Sequence, residues 1–331
     1  MKRIWLIAPW ALFIAITLAW VAYWHIVAGE AERRLEAMRA EQAASGADFS
    51  YARIELRGFP VLMRLELHDV AFAPARGGWR GSTARADLHI QLLNTNHVIL
   101  EAQAPIAIAR ADGAVTTIEA EALIASMRTR GGALAAAGIE ADNLQLDDPA
   151  EDGVLLAEKI VLNVRPDPRA AGEFQIAFDA EAVRLPRPVR SFESFGQDVS
   201  FRAAIVIEQA AALAEAAPAD PLGPWREAGG RLRFEALSLN WGPLAATGAG
   251  HGGLDDQRRL EGVLELPIET PGPIFAALAE GENVDQSARS ALRLLAAGFA
   301  LSGDDINLDV EARTGVLRLE GLAVRTLPPV Y

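Results

Sequence analysis

The chain has 331 residues, no cysteine and a formal charge of −13; setting Lys2 and Arg3 aside leaves −15 on residues 4–331. So acidic a body argues against nucleic acid as a partner, since that binding rests on basic patches that neutralise phosphate, and it is repelled by an anionic membrane surface. Without cysteine there is no disulfide, no cysteine nucleophile and no thiolate metal site.

Ile4 to Val27, IWLIAPWALFIAITLAWVAYWHIV, holds twenty-four residues without Asp, Glu, Lys or Arg. As a helix it covers roughly 36 Å, more than the roughly 30 Å of a bilayer's hydrocarbon core, so it is expected to span with some tilt. Lys2 and Arg3 precede it and Glu30 and Glu32 follow. The positive-inside rule then keeps the N-terminus in the cytoplasm and exports the rest. Trp5, Trp20, Tyr23 and Trp24 lie towards its ends, where aromatic rings favour the headgroup zone. A cleaved signal peptide is the competing reading, with a small-residue site near Ala28-Gly29, although the apolar region of such a peptide usually runs about 7–15 residues. Residues 1–28 are read as a transmembrane signal anchor in the inner membrane, with the body in the periplasm. Ala11, Ala15, Ala19 and Ala22 form a small-residue stripe, a weak signal for helix pairing.

Residues 29–48 read as a helical stalk. Gly29 to Ala44 is built of good helix formers, with Leu35 and Met38 as a thin apolar stripe, and Ser45-Gly46 ends it. The stalk is expected to continue the membrane helix and hold the body off the bilayer.

From Phe49 the apolar period changes from 3.6 to 2. Arg64–His68, Asp87–Leu92, Pro105–Ala109, Gln145-Leu146, Lys159–Val164, Glu173–Asp179, Phe201–Ile207, Leu232–Trp241, Leu260–Leu266, Ile306–Val310 and Val316–Val324 alternate in this way. That pattern predicts strands with one wet and one dry face, joined as an antiparallel meander. In Leu232–Leu239 the apolar parity flips, which predicts a bulge at Ala236-Leu237. Short helices are expected over 208–217, 271–280 and 285–297. Asp285 would be the last helix's N-cap and Gly298 its C′ residue, with Leu292 and Leu295 facing the sheet. The Pro-rich 218–225 reads as a crossing between an N-terminal β half, 49–217, and a C-terminal β half, 218–331. The fold class is mainly β: a long curled antiparallel sheet, as an open groove or a sandwich, with few short helices and one transmembrane helix before it.

Chemistry-bearing motifs are sparse. His25, His68, His89, His97 and His251 form no ligand pair, and His68 and His89 fall on the polar phase of strands. Asn94-Thr95-Asn96 reads as a turn, and Gly248–Gly253 as a glycine-dense hairpin turn. Asp147-Asp148, Asp255-Asp256 and Asp304-Asp305 read as solvated turn acids without calcium-loop spacing. No nucleophile elbow or phosphate loop occurs. The expectation is a protein that is not an enzyme, with no catalytic residue, no metal and no cofactor. Gly58-Phe59-Pro60 reads as a structural turn between two strands, with Phe59 packed into the end of the core.

An anchor and short helix followed by Gly46, Tyr51, Gly58-Phe59-Pro60 and Leu67-His68-Asp69-Val70-Ala71-Phe72 form a recognisable order. Asn96-His97-Val98-Ile99, Asn240-Trp241-Gly242-Pro243-Leu244 and Leu327-Pro328-Pro329-Val330-Tyr331 continue it. This order resembles a family of uncharacterised alphaproteobacterial envelope proteins, a domain of unknown function, although Asn94-Thr95 stands where that family has Asn-Pro. The family is in turn similar to the AsmA-like group, which implies an inner-membrane anchor, a long curled sheet and phospholipid handling, and carries over no catalytic residue.

Two functions are weighed. In the first, the dry sheet face is a groove for lipid, lined by Leu65, Leu67, Leu88, Ile90, Ile106, Ile108, Phe174, Ile176, Phe178, Ile205, Ile207, Leu232, Phe234, Leu237 and Leu239. Burying about 0.8 kcal/mol per CH₂, a sixteen-carbon chain gains on the order of 10 kcal/mol before ordering costs. The expected partners are the bilayer, through residues 4–27, and phospholipid acyl chains. The same pattern also describes an ordinary closed sandwich or barrel core. The second function is a non-enzymatic structural or partner-binding envelope protein.

Overall fold

Period-two alternation becomes strand along most of the body. The computed structural model describes residues 4–215, 220–281, 284, 286–303 and 305–331. Among these are eighteen strands, whose ladders are antiparallel, and four α-helices. The chain divides into two compact units, Met1–Gly132 with Asp148–Ala150, and Ala133–Asp147 with Glu151–Tyr331. The expected crossing near residue 218 lies inside the second unit.

In the first unit α1, Ile4–Ala44, is a single helix that includes both the apolar segment and the stalk, roughly 60 Å long. The strands are β1 (Asp48–Ser50), β2 (Arg53–Arg57), β3 (Leu62–Ala73), β4 (Trp79–Gln91), β5 (Asn94–Ala102), β6 (Ile106–Arg110), β7 (Val115–Glu119) and β8 (Ala122–Arg130). β3 pairs with β1, β2 and β4. β4 pairs with β5 along Ala86–Gln91 and with β6 along Trp79–Thr83. β8 joins β5, and β7 joins β6. Directly opposed residues share a face, so Leu56, Leu65, Leu88 and Leu100 form one apolar row and Met63, Ile90 and Val98 another.

Helix α1 covers those rows. Trp24, Ala28 and Ala31 form one buried cluster with Met63, Leu65, Ile90 and Leu92. Leu35, also buried, continues the helix stripe. The spacing 24, 28, 31, 35 is one face of a helix, and the two alanines let the backbone come close to the sheet. Trp20 Nε1 donates to the Pro60 carbonyl at 2.8 Å, the Tyr23 hydroxyl to the Leu92 carbonyl at 2.8 Å, and Trp24 Nε1 to the Leu62 carbonyl at 3.2 Å. Further along, Tyr51 bonds Glu36, and the Arg39 guanidinium lies 5.4 Å from the Tyr51 ring centre. The stalk is helical as expected, but it does not stand the first unit off from the apolar segment; helix and sheet are packed together because one apolar stripe runs through both parts of the helix. Ala15, Ala19 and Ala22 face outward. Gly58-Phe59-Pro60 occupies the β2–β3 turn, where Gly58 adopts φ +92° and a Cβ would meet the Leu62 carbonyl oxygen at 2.7 Å. Phe59 is mostly exposed and sets its ring edge-on to Trp24, 5.5 Å between centres; the turn is too tight to fold it into the core.

The second unit is a sequential meander. It runs through β9 (Ala133–Asp147), β10 (Val154–Pro166), β11 (Phe174–Arg184), β12 (Asp198–Ile207), β13 (Leu232–Trp241), β14 (Leu244–Leu254), β15 (Leu260–Glu269), β16 (Ile306–Arg313), β17 (Val316–Leu319) and β18 (Leu322–Thr326), each paired with the next. The helices are α2 (Gly223–Glu227), α3 (Gly272–Ala279) and α4 (Gln286–Ser302). Ile274 and Phe275 of α3 and Leu292 of α4 pack with Leu244, Ile268, Leu308, Leu319 and Val324 of the sheet, and Phe275 stacks on Phe299 at 5.5 Å. The register of β13 on β14 shifts between Phe234 and Leu237, where the parity flip placed a bulge.

Several local expectations are corrected. Gly248–Gly253 is no turn but the interior of β14; a Cβ at Gly250 would lie 2.1 Å from the Val263 carbonyl oxygen, and one at Gly248 2.5 Å from the Leu266 side chain. The glycines there make room for neighbouring strands. Val316–Val324 is a hairpin, broken at Glu320-Gly321, both with left-handed backbone. Asn94–Asn96 opens β5, the turn lying at Leu92-Leu93. In the described part of the segment 208–217, residues 208–215, the helix is a 3-10 helix at Ala210–Glu215. Helix α4 runs past Gly298 to Ser302, and Leu292 is its buried leucine while Leu295 is exposed. Asp285, Asp304 and residues 216–219 lie outside the described residues.

Candidate functional site

Across β9 to β13 the register aligns apolar residues into rows on one face. Ala137, Val164, Ile176, Ile205 and Phe234 form one row; Ile139, Leu162, Phe178, Ala203 and Leu237 form the next; Ala141, Ile160, Ala180, Phe201 and Leu239 form a third. Phe174, Ile207 and Leu232 close one end. The rings of Phe178 and Phe201 lie 5.9 Å apart. Most of these side chains are half-buried. Among the described residues the buried core clusters contain no side chain from β9 to β12, whereas the sheet from β14 onward is closed by α3 and α4.

The opposite face of the same strands carries charge. Lys159 bonds Glu140 and lies 3.4 Å from Asp142. Arg202 bonds Asp179 at 2.8 Å and Glu181 at 3.3 Å. The Asp167 carboxylate, shut off from solvent, is held at 2.8 Å by Arg169, which reaches Glu235 at 2.6 Å. The Arg169 hydrogen bond, ahead of any other cause, keeps the Asp167 carboxyl well below the usual carboxylate range. The strands are therefore two-sided, ion-paired on one face and oily on the other.

The expected lining residues separate into groups. Phe174, Ile176, Phe178, Ile205, Ile207, Leu232, Phe234 and Leu237 share the uncovered face, and Leu239 belongs to it but packs against the helix-covered core. Leu65, Leu67 and Ile90 are buried and Leu88 half-buried; Leu65, Leu88 and Ile90 lie in the cluster beneath α1, so this part of the dry face is filled by the protein itself. Ile106 and Ile108 stand on β6 opposite Thr83 and Gly81 of β4. Sequence reading omitted Ile160, Leu162 and Val164, although their alternation within Lys159–Val164 was the available signal.

Polar clusters outside this face are ion-paired among themselves, although His68 Nε2 is buried without a hydrogen-bond partner. Glu55, Glu66 and His68 bring ligand atoms within 4.8 Å of one another, but Arg57 lies 2.7 Å from Glu55, and Arg85 and Arg64 lie 3.4 and 3.5 Å from Glu66. Arginine thus already occupies the field a cation would need. The neighbouring Asp87 has its carboxyl lowered, first by the Arg85 hydrogen bond. Asp148 is not a free turn acid: Arg110 donates to it at 2.6 and 3.1 Å, the Thr116 hydroxyl at 2.9 Å and the Ala150 N–H at 2.9 Å. Beside it Gly77, Trp79, Ile108 and Arg110 line an open cleft of about 570 Å³.

Residues 24–328 match a family model described as "Uncharacterized protein conserved in bacteria (DUF2125)". No curated protein and no solved structure matches the chain.

Proposed function

The chain belongs to that family of uncharacterised bacterial proteins, and on this premise we propose that it is a membrane-anchored, non-enzymatic protein that holds lipid acyl chains on the uncovered apolar face of β9 to β13. One observation carries the reading: rows such as Val164–Ile176–Ile205–Phe234 stay half-buried with no core cluster formed on them among the described residues, although the same sheet is closed by helices further along. Large contiguous apolar surface left open marks a binding site. An acyl chain laid across these rows recovers about 0.8 kcal/mol per methylene removed from water, with no catalyst required. The apolar helix α1 supports placement in the inner membrane, and Lys2 and Arg3 ahead of it support an N-terminus in the cytoplasm and a body in the periplasm. The resemblance to the AsmA-like group points the same way.

The test is photo-crosslinking of the full chain in its native membrane. Benzoylphenylalanine at Ile176 or Phe234 is expected to give phospholipid adducts by mass spectrometry, while the same group at Gln175, on the ion-paired face, gives none. A stoichiometric protein adduct at Ile176 and Phe234 without lipid would replace this reading with a partner-binding one, and equal lipid adducts on both faces would remove the site.

A further inference from the structure

We propose that the first unit is itself seated in the bilayer surface, through the tips of its β2–β3 and β4–β5 hairpins. This rests on reading α1 as membrane-spanning. Twenty helical residues cover the roughly 30 Å hydrocarbon core, so a span that begins at Ile4 ends near Trp24. That is where the helix is clamped to the sheet. Trp20, Tyr23 and Trp24 give their N–H and O–H groups to the carbonyls of Pro60, Leu92 and Leu62, whereas interfacial tryptophan and tyrosine ordinarily give them to headgroups and water. The carbonyl-bearing tips must then lie at the depth of those aromatic rings.

The tips have the composition that depth requires. Phe59 is 53 % exposed, Val61 71 %, Leu62 56 % and Leu93 88 %. Phe59 and Val61 stand on the β2–β3 turn, Leu62 opens β3 and Leu93 stands on the β4–β5 turn, so both tips present large apolar side chains. Gly58, in left-handed backbone, and the packed Trp24–Phe59 pair fix the first tip rigidly. The acidic charge of the body opposes adsorption to an anionic surface, so the contact is apolar insertion. The occupant is the lipid interface, because the exposed apolar helix is joined to the tips at its end: the Tyr23 hydroxyl bonds the Leu92 carbonyl next to the exposed Leu93, and Trp20 bonds the Pro60 carbonyl next to the exposed Phe59 and Val61.

The chain lacks cysteine, so each introduced thiol is unique. Leu18→Cys, Val61→Cys, Leu93→Cys and Val115→Cys, all at exposed positions, are labelled with a polarity-sensitive fluorophore. The full-length chain is reconstituted in phosphatidylethanolamine–phosphatidylglycerol vesicles containing nitroxide-bearing phospholipid. Val115 is the outside control: it opens β7, whose partner β6 pairs with the Trp79–Thr83 half of β4, away from the tips. The expected result is quenching at 18, 61 and 93 several-fold stronger than at 115. Quenching at 18, with 61 and 93 no stronger than 115, overturns the proposal and leaves the anchor standing. No quenching at 18 overturns both the anchor and the seating. A blue shift at 61 and 93 without lipid quenching identifies a contact between copies of the chain and also overturns it.

Discussion

Asp148 shows how a turn acid becomes structural. Its carboxylate takes four donors, from Arg110, Thr116 and the Ala150 backbone, and the Arg110 hydrogen bond, first among the causes, holds its carboxyl well below the usual range. A carboxyl lowered on folding contributes stability that is fully present above its unfolded value, about pH 4, and that is lost as pH falls through the folded value. Asp148→Asn is expected to lower the urea midpoint at pH 7, and the gap to the parent protein is expected to close as the pH is taken from 4 towards 2. A gap of unchanged size at pH 2 would contradict the assignment. Sequence reading placed Asp148 in a turn correctly but could not see Arg110 and Thr116, which lie more than thirty positions away and reach it only once β6 and β7 have paired.

Helix α4 makes the same point for elements. Its existence was legible in the run of Ala, Leu and Arg, and so was the inward side of Leu292, but Leu295, expected beside it on the same face, is exposed. Packing on Phe275 and the sheet selects Leu292, wholly buried, and leaves Leu294 three-quarters exposed. Leu292→Ala is expected to cost about 2–5 kcal/mol, the range for a buried leucine whose site cannot fully collapse. Leu294→Ala is expected to fall within about 0.5 kcal/mol of the parent. Thermal or urea unfolding of the two variants in detergent checks the pair, and equal losses would reject the observed phase. Strands were legible for a simpler reason: in a two-sided sheet, every second residue must answer to water. β14 escaped that rule because Gly248, Gly250 and Gly252 carry no side chain to alternate, their space being taken by Leu264, Leu266 and Phe234. The seam Trp24–Ala28–Ala31–Leu35 was hidden because it crosses from an all-apolar segment, where no face stands out, into a charged one.

For the whole molecule, that seam bears on whether the N-terminal segment is cut off. A signal peptide cut near Ala28-Gly29 would carry away Trp24 and Ala28, and with them all three hydrogen bonds to Pro60, Leu62 and Leu92. Met63, Leu65, Ile90 and Leu92 would be uncovered. Exposing four such side chains at about 1.5–3 kcal/mol each costs on the order of 10 kcal/mol, comparable to the entire stability of an ordinary domain, about 5–15 kcal/mol. The first unit therefore needs the helix for its own core, independently of any membrane, and the matched family region itself begins at Trp24. The expected outcome is that protein extracted from its native membrane retains Ile4 to Ala28. Intact-mass measurement with peptide mapping across Ala19 to Arg33 checks this. A mature chain beginning at Gly29 and still resisting proteolysis within β2 to β5 would show that the sheet stands without its helix, and both the anchor and the seated hairpins would fall with it.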